Sequence, residues 1–445
     1  MKKLLFLLCC AASFTASAQR AKYVVLITID GFRPDFYMEQ GWGTPNLMKM
    51  KDSGVAADGV YGVFPTVTYP NHTSIITGVK PAKHGVYYNA PFEPTGGSGK
   101  WYWDYKSINV PTLYTAVKAA GKTSANVIWP VTVNAPVDYN IPDIWPIGKG
   151  NDRLAATAAV TSPAALWKEV QEFATGKLLP DDFSMVREEM IMDENVARMG
   201  AYMISKYKPA FTTLHLACTD HYEHMQGRDG YLVRKAIAGA DRAIGTILDA
   251  LVRAGIQDST AVIVTGDHGF VNIETSFAPN VLLAKAGLMN DISKGDWKAQ
   301  FHSAGGSAFL HLKDPNDAAT LKAVEKLLAG LPVAQRRLFK IIPKKQLQEV
   351  GADPAAALAL AAAPGTTISG SAKGELVKTA KGGTHGYYPD FREIQTGFIA
   401  YGAGIAKGGR IKEMQLIDVA PVIAELLSID FKTAEGHIPA GILLP

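Results

Sequence analysis

The stretch Phe64-Pro-Thr-Val-Thr-Tyr-Pro-Asn-His72 gathers hydroxyls, an amide and an imidazole just ahead of a helical pattern that ends at Gly78. A hydroxyl placed there, that of Thr68 above all, faces free backbone N–H groups and the positive end of the helix dipole, which suits the oxygens of a phosphate. Taken alone, the same residues read as ordinary caps, since Thr and Asn are common before a helix. Acids and histidines elsewhere in the chain decide between the two readings.

Tyr23 to Asp30, Phe211 to Asp220 and Thr260 to Asp267 are apolar, β-branched runs that each end in a carboxylate. Such runs predict strands buried on both faces, typical of a parallel sheet. The carboxyl edge of an open α/β sheet is where ligands bind, and one sheet would bring Asp30, Asp220 and Asp267 together there. Three carboxylates at one place repel each other unless cations neutralise them. His224 follows Asp220 by four residues, His268 adjoins Asp267, and His385 sits in a glycine-flanked loop. Their imidazoles turn the expectation from magnesium toward zinc. Six ligands suit two sites of three protein ligands each, leaving positions for a nucleophile and a substrate. His221 and Glu223, between Asp220 and His224, are competing candidates from composition alone.

This set resembles the alkaline phosphatase superfamily, and within it the nucleotide pyrophosphatase/phosphodiesterase family in its compact bacterial form. The resemblance runs from Ile29-Asp-Gly-Phe-Arg33 through the Thr68 stretch and Asp267-His-Gly269 to Gly383-Thr-His-Gly386. It implies an α/β fold, a mostly parallel sheet flanked by helices with cap-like insertions. It further implies two Zn2+ cofactors, one held by Asp220, His224 and His385 and the other by Asp30, Asp267 and His268 beside Thr68. Thr68 would attack phosphorus to give a phospho-threonine intermediate, with Asn89, in the His-Gly-x-x-x-Asn stretch, donating to a phosphate oxygen. Tyr69, directly after the nucleophile, would line the substrate pocket or else pack the loop. The substrate implied is a small phosphodiester, with a nucleotide favoured.

Rival chemistries are separated by the same residues. Sulfatases carry a Cys/Ser-x-Pro-x-Arg pattern where this chain has Thr68-Tyr-Pro-Asn71. Threonine-dependent phosphate monoesterases and phosphonoacetate hydrolases resemble this site but call for added cations, and Asn126 to Val133 contains none. That favours diesters. A binding protein built on an inactive scaffold is the reading from another class, and its discriminator is zinc content together with a chromogenic diester assay.

The elements that must position these residues follow from periodicity. A helix is expected over Thr44 to Lys51, a return strand over Gly54 to Phe64, and a helix over Val110 to Gly121. Further expectations are a strand over Thr123 to Trp129, one helix over Asp182 to Lys206, another over Tyr231 to Ala254, and a helix with a loop over Ala352 to Pro364. Gly397 to Tyr401 reads as a late strand and Ile417 to Leu427 as a closing helix. Insertions are expected near 91–106, 131–184 and 290–380, the first rich in aromatics that either line a pocket or pack the loop.

Composition fits a large core: 445 residues, 47% hydrophobic and 19% charged. With 45 basic against 41 acidic residues, a net charge of +4 and no dense basic run, nothing points to a dedicated nucleic-acid surface. Met1-Lys-Lys, the apolar run from Leu4 and Ala16-Ser-Ala18 read as a signal peptide over 1–18, so export to the periplasm or exterior is expected, with no transmembrane segment in the mature chain. A buried N-terminal helix is the alternative. A lipid anchor at Cys9 or Cys10 is disfavoured because neither follows a small residue. Cleavage would leave Cys218 as a lone thiol, so stability must come from the core and bound metal.

Overall fold

In the computed structural model, which describes residues 21–147, 152–185, 190–432 and 434–445, Tyr23–Ile29 forms strand β1 with every residue buried. Val25, Ile27 and Ile29 enter one apolar core and Val24 and Leu26 another, because successive side chains leave opposite faces of a strand. A strand covered on both faces belongs in a sheet interior. β2 (Val55–Ala57), β3 (Ser124–Val127), β4 (Tyr139–Ile141), β5 (Phe211–Leu216), β6 (Thr260–Thr265), β7 (Phe398–Gly402) and β8 (Gly409–Ile411) complete an eight-stranded sheet of order β8-β2-β7-β6-β1-β5-β3-β4. Its pairings are parallel except the two that β7 makes.

Helices α1 (Thr68–Thr77), α2 (Leu113–Ala119), α3 (Ile191–Tyr207), α4 (Cys218–Gln226), α5 (Tyr231–Arg253) and α6 (Val419–Leu427) flank this sheet. α3 and α5 press Met192, Val196, Ile237 and Ile244 onto the Val25 face. α1, α2 and α6 bring Ile75, Leu113 and Ile423 to the Val24 face. The mixed α/β architecture and mostly parallel sheet expected from the apolar runs are therefore present. A second, antiparallel sheet of four strands, in the order Ala299–Ser303, Ser307–Leu312, Leu358–Ala362 and Phe339–Pro343, packs with its own apolar cluster.

Four local expectations give way. The run ending at Asp220 stops as a strand at Leu216, and Asp220 lies in the first turn of α4. Ala352 to Pro364 contains the strand Leu358–Ala362, not a helix, because all five strand residues are buried between two hydrogen-bonded neighbours. That burial overrides the helix propensity of Ala and Leu. The helix expected from Asp182 starts at Ile191, since Pro180–Phe183 forms a separate short turn and Met190 has φ 54. The return strand is split into Val55–Ala57 and Val60–Tyr61 at Asp58-Gly59, where the Asp58 N–H turns to the Ile411 carbonyl. The expected signal peptide, with Cys9 and Cys10, lies outside the described residues.

Candidate metal centre and nucleophile

Register brings the first two acids together. Ile29 pairs with Leu216 and Thr28 with Thr265, so β6, β1 and β5 end at one level with Asp30 and Asp267 just beyond. Asp220 arrives one element later, where it shares a face of α4 with His224 at i, i+4. Gly383-Thr384 pairs with Asn272 and Val271, which delivers His385 from the far end of the chain. The loop is pinned there: His385 Nδ1 and the Gly386 N–H both meet the Thr66 carbonyl, at 3.0 and 2.9 Å. Gly386 has φ 88, and a Cβ on it would stand 1.7 Å from the Ala304 oxygen, so only glycine fits.

All three histidines are oriented alike. Nδ1 of His224, His268 and His385 lies 3.0, 3.1 and 3.0 Å from the carbonyls of Gly383, Gly269 and Thr66. A carbonyl only accepts, so Nδ1 carries the proton and the Nε2 lone pair is free to ligate. Nε2 of both His224 and His385 is 3.5 Å from Asp220 Oδ1. His268 Nε2 is 3.4 Å from Asp30 Oδ1 and 3.1 Å from Asp267 Oδ2. Two groups could thus hold a metal ion, Asp220 with His224 and His385, and Asp30 with Asp220 and His268. The second grouping takes in Asp220 rather than Asp267, so Asp220 stands between the two.

Four atoms of this cluster, Asp30 Oδ1, Asp220 Oδ1, Asp267 Oδ2 and His268 Nε2, are buried without a hydrogen-bond partner among the described residues. Leaving that many buried polar atoms unsatisfied costs on the order of 1–3 kcal/mol each. The arrangement fits cations, which would meet all four. Burial, then the charges of Asp267 and Asp220, pushes the Asp30 carboxyl well above its ordinary range. Burial also acts on Asp267, but the imidazole of His268 beside it holds that carboxylate low. Burial next to His268 and His224 keeps His385 neutral, the form that binds metal. The competing candidate Glu223 turns away to Arg33, 2.7 Å from its guanidinium.

Thr68 is the first residue of α1 and is nearly buried. The Tyr69 N–H donates to Asn89 Oδ1 at 2.8 Å, so the Asn89 oxygen is committed and its amide N–H groups have no partner among the described residues. The Tyr69 ring is 1% exposed, edge-on to Trp101 at 5.2 Å, and its hydroxyl donates to Asp143 Oδ2 at 2.8 Å. The aromatics of 91–106 divide: Trp101 and Trp103 join Trp145 around Tyr69, whereas Phe92 stacks on His311 at 3.9 Å in the second sheet.

Two further imidazoles, His72 in the Thr68 stretch and His215, had no role assigned from the sequence. His72 Nδ1 meets the Thr68 carbonyl at 2.8 Å, its Nε2 meets His215 Nδ1 at 2.8 Å, and His215 Nε2 lies 3.4 Å from Asp30 Oδ2. These buried imidazoles, kept neutral by burial, tie the first turn of α1 to the end of β1. The signal for His215 was a polar residue inside the apolar run Phe211–Leu216.

A family model described as type I phosphodiesterase / nucleotide pyrophosphatase matches residues 24–388. The ectonucleotide pyrophosphatase/phosphodiesterase family member 1 of Mus musculus is 23% identical over 410 residues, 91% of this chain and 40% of the relative. Venom phosphodiesterase 2 of Crotalus adamanteus is 23% identical over 438 residues, 94% of this chain and 46% of the relative. The chain thus spans less than half the length of these curated relatives. Among solved structures, murine ectonucleotide pyrophosphatase/phosphodiesterase 5, an inactive threonine-to-alanine variant in complex with AMP, superposes with a TM-score of 0.66 at 20% identity. That superposition covers 94% of this chain and 97% of the other, which establishes a shared fold. With a family match across most of its length and the fold to go with it, the chain belongs to the type I phosphodiesterase / nucleotide pyrophosphatase family.

Proposed function

We propose that the chain is an exported two-zinc phosphodiesterase or nucleotide pyrophosphatase that attacks a phosphodiester or pyrophosphate bond with the Thr68 hydroxyl, nucleotides being the favoured substrates. The observation that carries this is the set of four orphaned ligand atoms gathered next to the first turn of α1. Asp220, His224 and His385 would hold one ion, and Asp30, Asp267 and His268 the other, with Asp220 near enough to serve both. Zinc bound there supplies positive charge that lowers the pKa of a nearby hydroxyl and neutralises developing negative charge.

The chain's own residues do the rest. Among the described residues the Thr68 hydroxyl has no partner, whereas that of Thr66 donates to the Tyr387 carbonyl at 2.9 Å. The Thr68 N–H and the Asn89 amide would donate to a phosphoryl oxygen there, where one such donor is worth about 3–4 kcal/mol in the transition state. His72 holds the Thr68 carbonyl and so fixes the backbone beneath the nucleophile. Export is supported by relatives named as ectoenzymes and venom enzymes, and no helix among the described residues is long and apolar enough to cross a membrane.

Thr68→Ala is the test. Turnover of a nitrophenyl nucleotide diester should fall by about 10³-fold or more, with zinc content and melting temperature unchanged. A variant with near wild-type rate would remove Thr68 from the chemistry.

A further inference from the structure

A cation that the stretch Asn126 to Val133 does not contain is tied through Asp143 to Tyr69, the residue after Thr68. Arg153, 9% exposed, pairs with Asp143, and its guanidinium lies 5.0 Å from the Trp145 ring centroid. Asp143 is 3% exposed and takes the Tyr69 hydroxyl on its other oxygen. The chain of contacts thus runs Thr68, Tyr69, Asp143, Arg153, and it is buried throughout. Arg153 Nε is buried with no partner among the described residues, as is the Trp103 indole N–H in the same aromatic cluster. The fields of the pair reach the buried histidines behind the nucleophile, Asp143 acting on His72 and Arg153 on His215.

A guanidinium whose field reaches a phosphoryl site attracts a dianion more than a monoanion, because Coulomb attraction scales with the charge it meets. A bound carboxylate cancels most of that difference. We infer that Asp143 is a specificity-determining residue: by masking Arg153 it withholds a cation from the phosphoryl group and keeps the site selective for singly charged diesters over doubly charged monoesters. The inference rests on the phosphodiesterase reading above. Tyr69 links the mask to the nucleophile's own helix, so Asp143 cannot swing away from Arg153 without giving up that hydrogen bond.

The experiment measures kcat/KM for bis(4-nitrophenyl) phosphate and for 4-nitrophenyl phosphate on wild type, Asp143→Asn, Arg153→Met and the double variant. D143N unmasks the guanidinium, and the monoester-to-diester ratio should rise about tenfold, the size of a single-charge effect at an effective dielectric constant of about 20. R153M should not raise the ratio, and D143N/R153M should return it to the wild-type value. A purely structural role for the pair would lower both rates together and leave the ratio flat in all three variants, which overturns the proposal. Equal rises in D143N and in the double variant also overturn it, because no guanidinium is left to act. Where D143N does not yield folded protein, Asp143→Ser, which is smaller and also removes the carboxylate, is read the same way. The phosphodiesterase reading is judged separately, by whether the wild type hydrolyses the diester at all.

Discussion

At the scale of single residues, the site works by subtraction. Each histidine has one nitrogen committed to a backbone carbonyl, so the other has no tautomeric freedom and is a ligand in waiting. Thr66 and Thr68 differ in the same way, one hydroxyl committed and the other not. Tyr69 is the residue whose role changes most from its sequence position. Its ring is buried and its hydroxyl serves Asp143, so it supports the residues around it from within. Tyr69→Phe should therefore lower the unfolding free energy by about 1.5–3 kcal/mol, the range for a hydrogen bond to a charged group. Denaturant titration reads it, and an unchanged midpoint would show the hydroxyl to be dispensable.

At the scale of elements, α4 is held by a neighbour. Its N-cap, Ala217, has no side chain able to cap, and Asp193 of α3 takes that part, its Oδ1 accepting from the N–H groups of Ala217 and Cys218 at 2.9 and 3.3 Å. α3 thus sets the angle at which α4 presents Asp220 and His224. Burial pushes the Asp193 carboxyl up to about 6 from its ordinary 3.8. In that window the native state keeps a proton the unfolded chain has lost, so stability falls as pH rises through it and stays lower above it. Asp193→Asn keeps the acceptor and removes the titration. Melting of the two proteins side by side should show the variant gaining on wild type, by on the order of 2–3 kcal/mol, between about pH 4 and about pH 6.5. A constant difference across that range would mean that Asp193 does not titrate there.

At the scale of the molecule, metal and fold are one equilibrium. The candidate ligands, residues 30, 220, 224, 267, 268 and 385, lie just past β1, on α4, in the turn after β6 and in a late loop, so they are adjacent only in the folded chain. Cations that bind this arrangement and not the unfolded chain stabilise it, by about 4 kcal/mol when free metal is a thousandfold above its Kd. Purified protein should carry close to two zinc ions. Chelation should abolish diesterase activity and lower the melting temperature, and zinc should restore both. Activity intact after complete chelation would remove metal from the mechanism.

The sequence by itself determined the parallel sheet, since runs such as Tyr23 to Ile29 have no polar face and are stable only when covered on both sides. It also pointed to Asp30 and Asp267 at one edge, because residues just past the ends of adjacent parallel strands lie together there. Three-dimensional packing decided what local pattern cannot encode. Leu358–Ala362 is a strand because two other strands lie beside it, and Asp220 sits on a helix because Asp193 caps that helix from another element. Asp143 and Arg153 carried no signal at all in a segment that reads as a loop, and their part depends on reaching Tyr69 across 74 residues of chain. Periodicity reports which face of an element is apolar. Which partner a buried charge meets is a long-range contact, and only the folded chain supplies it.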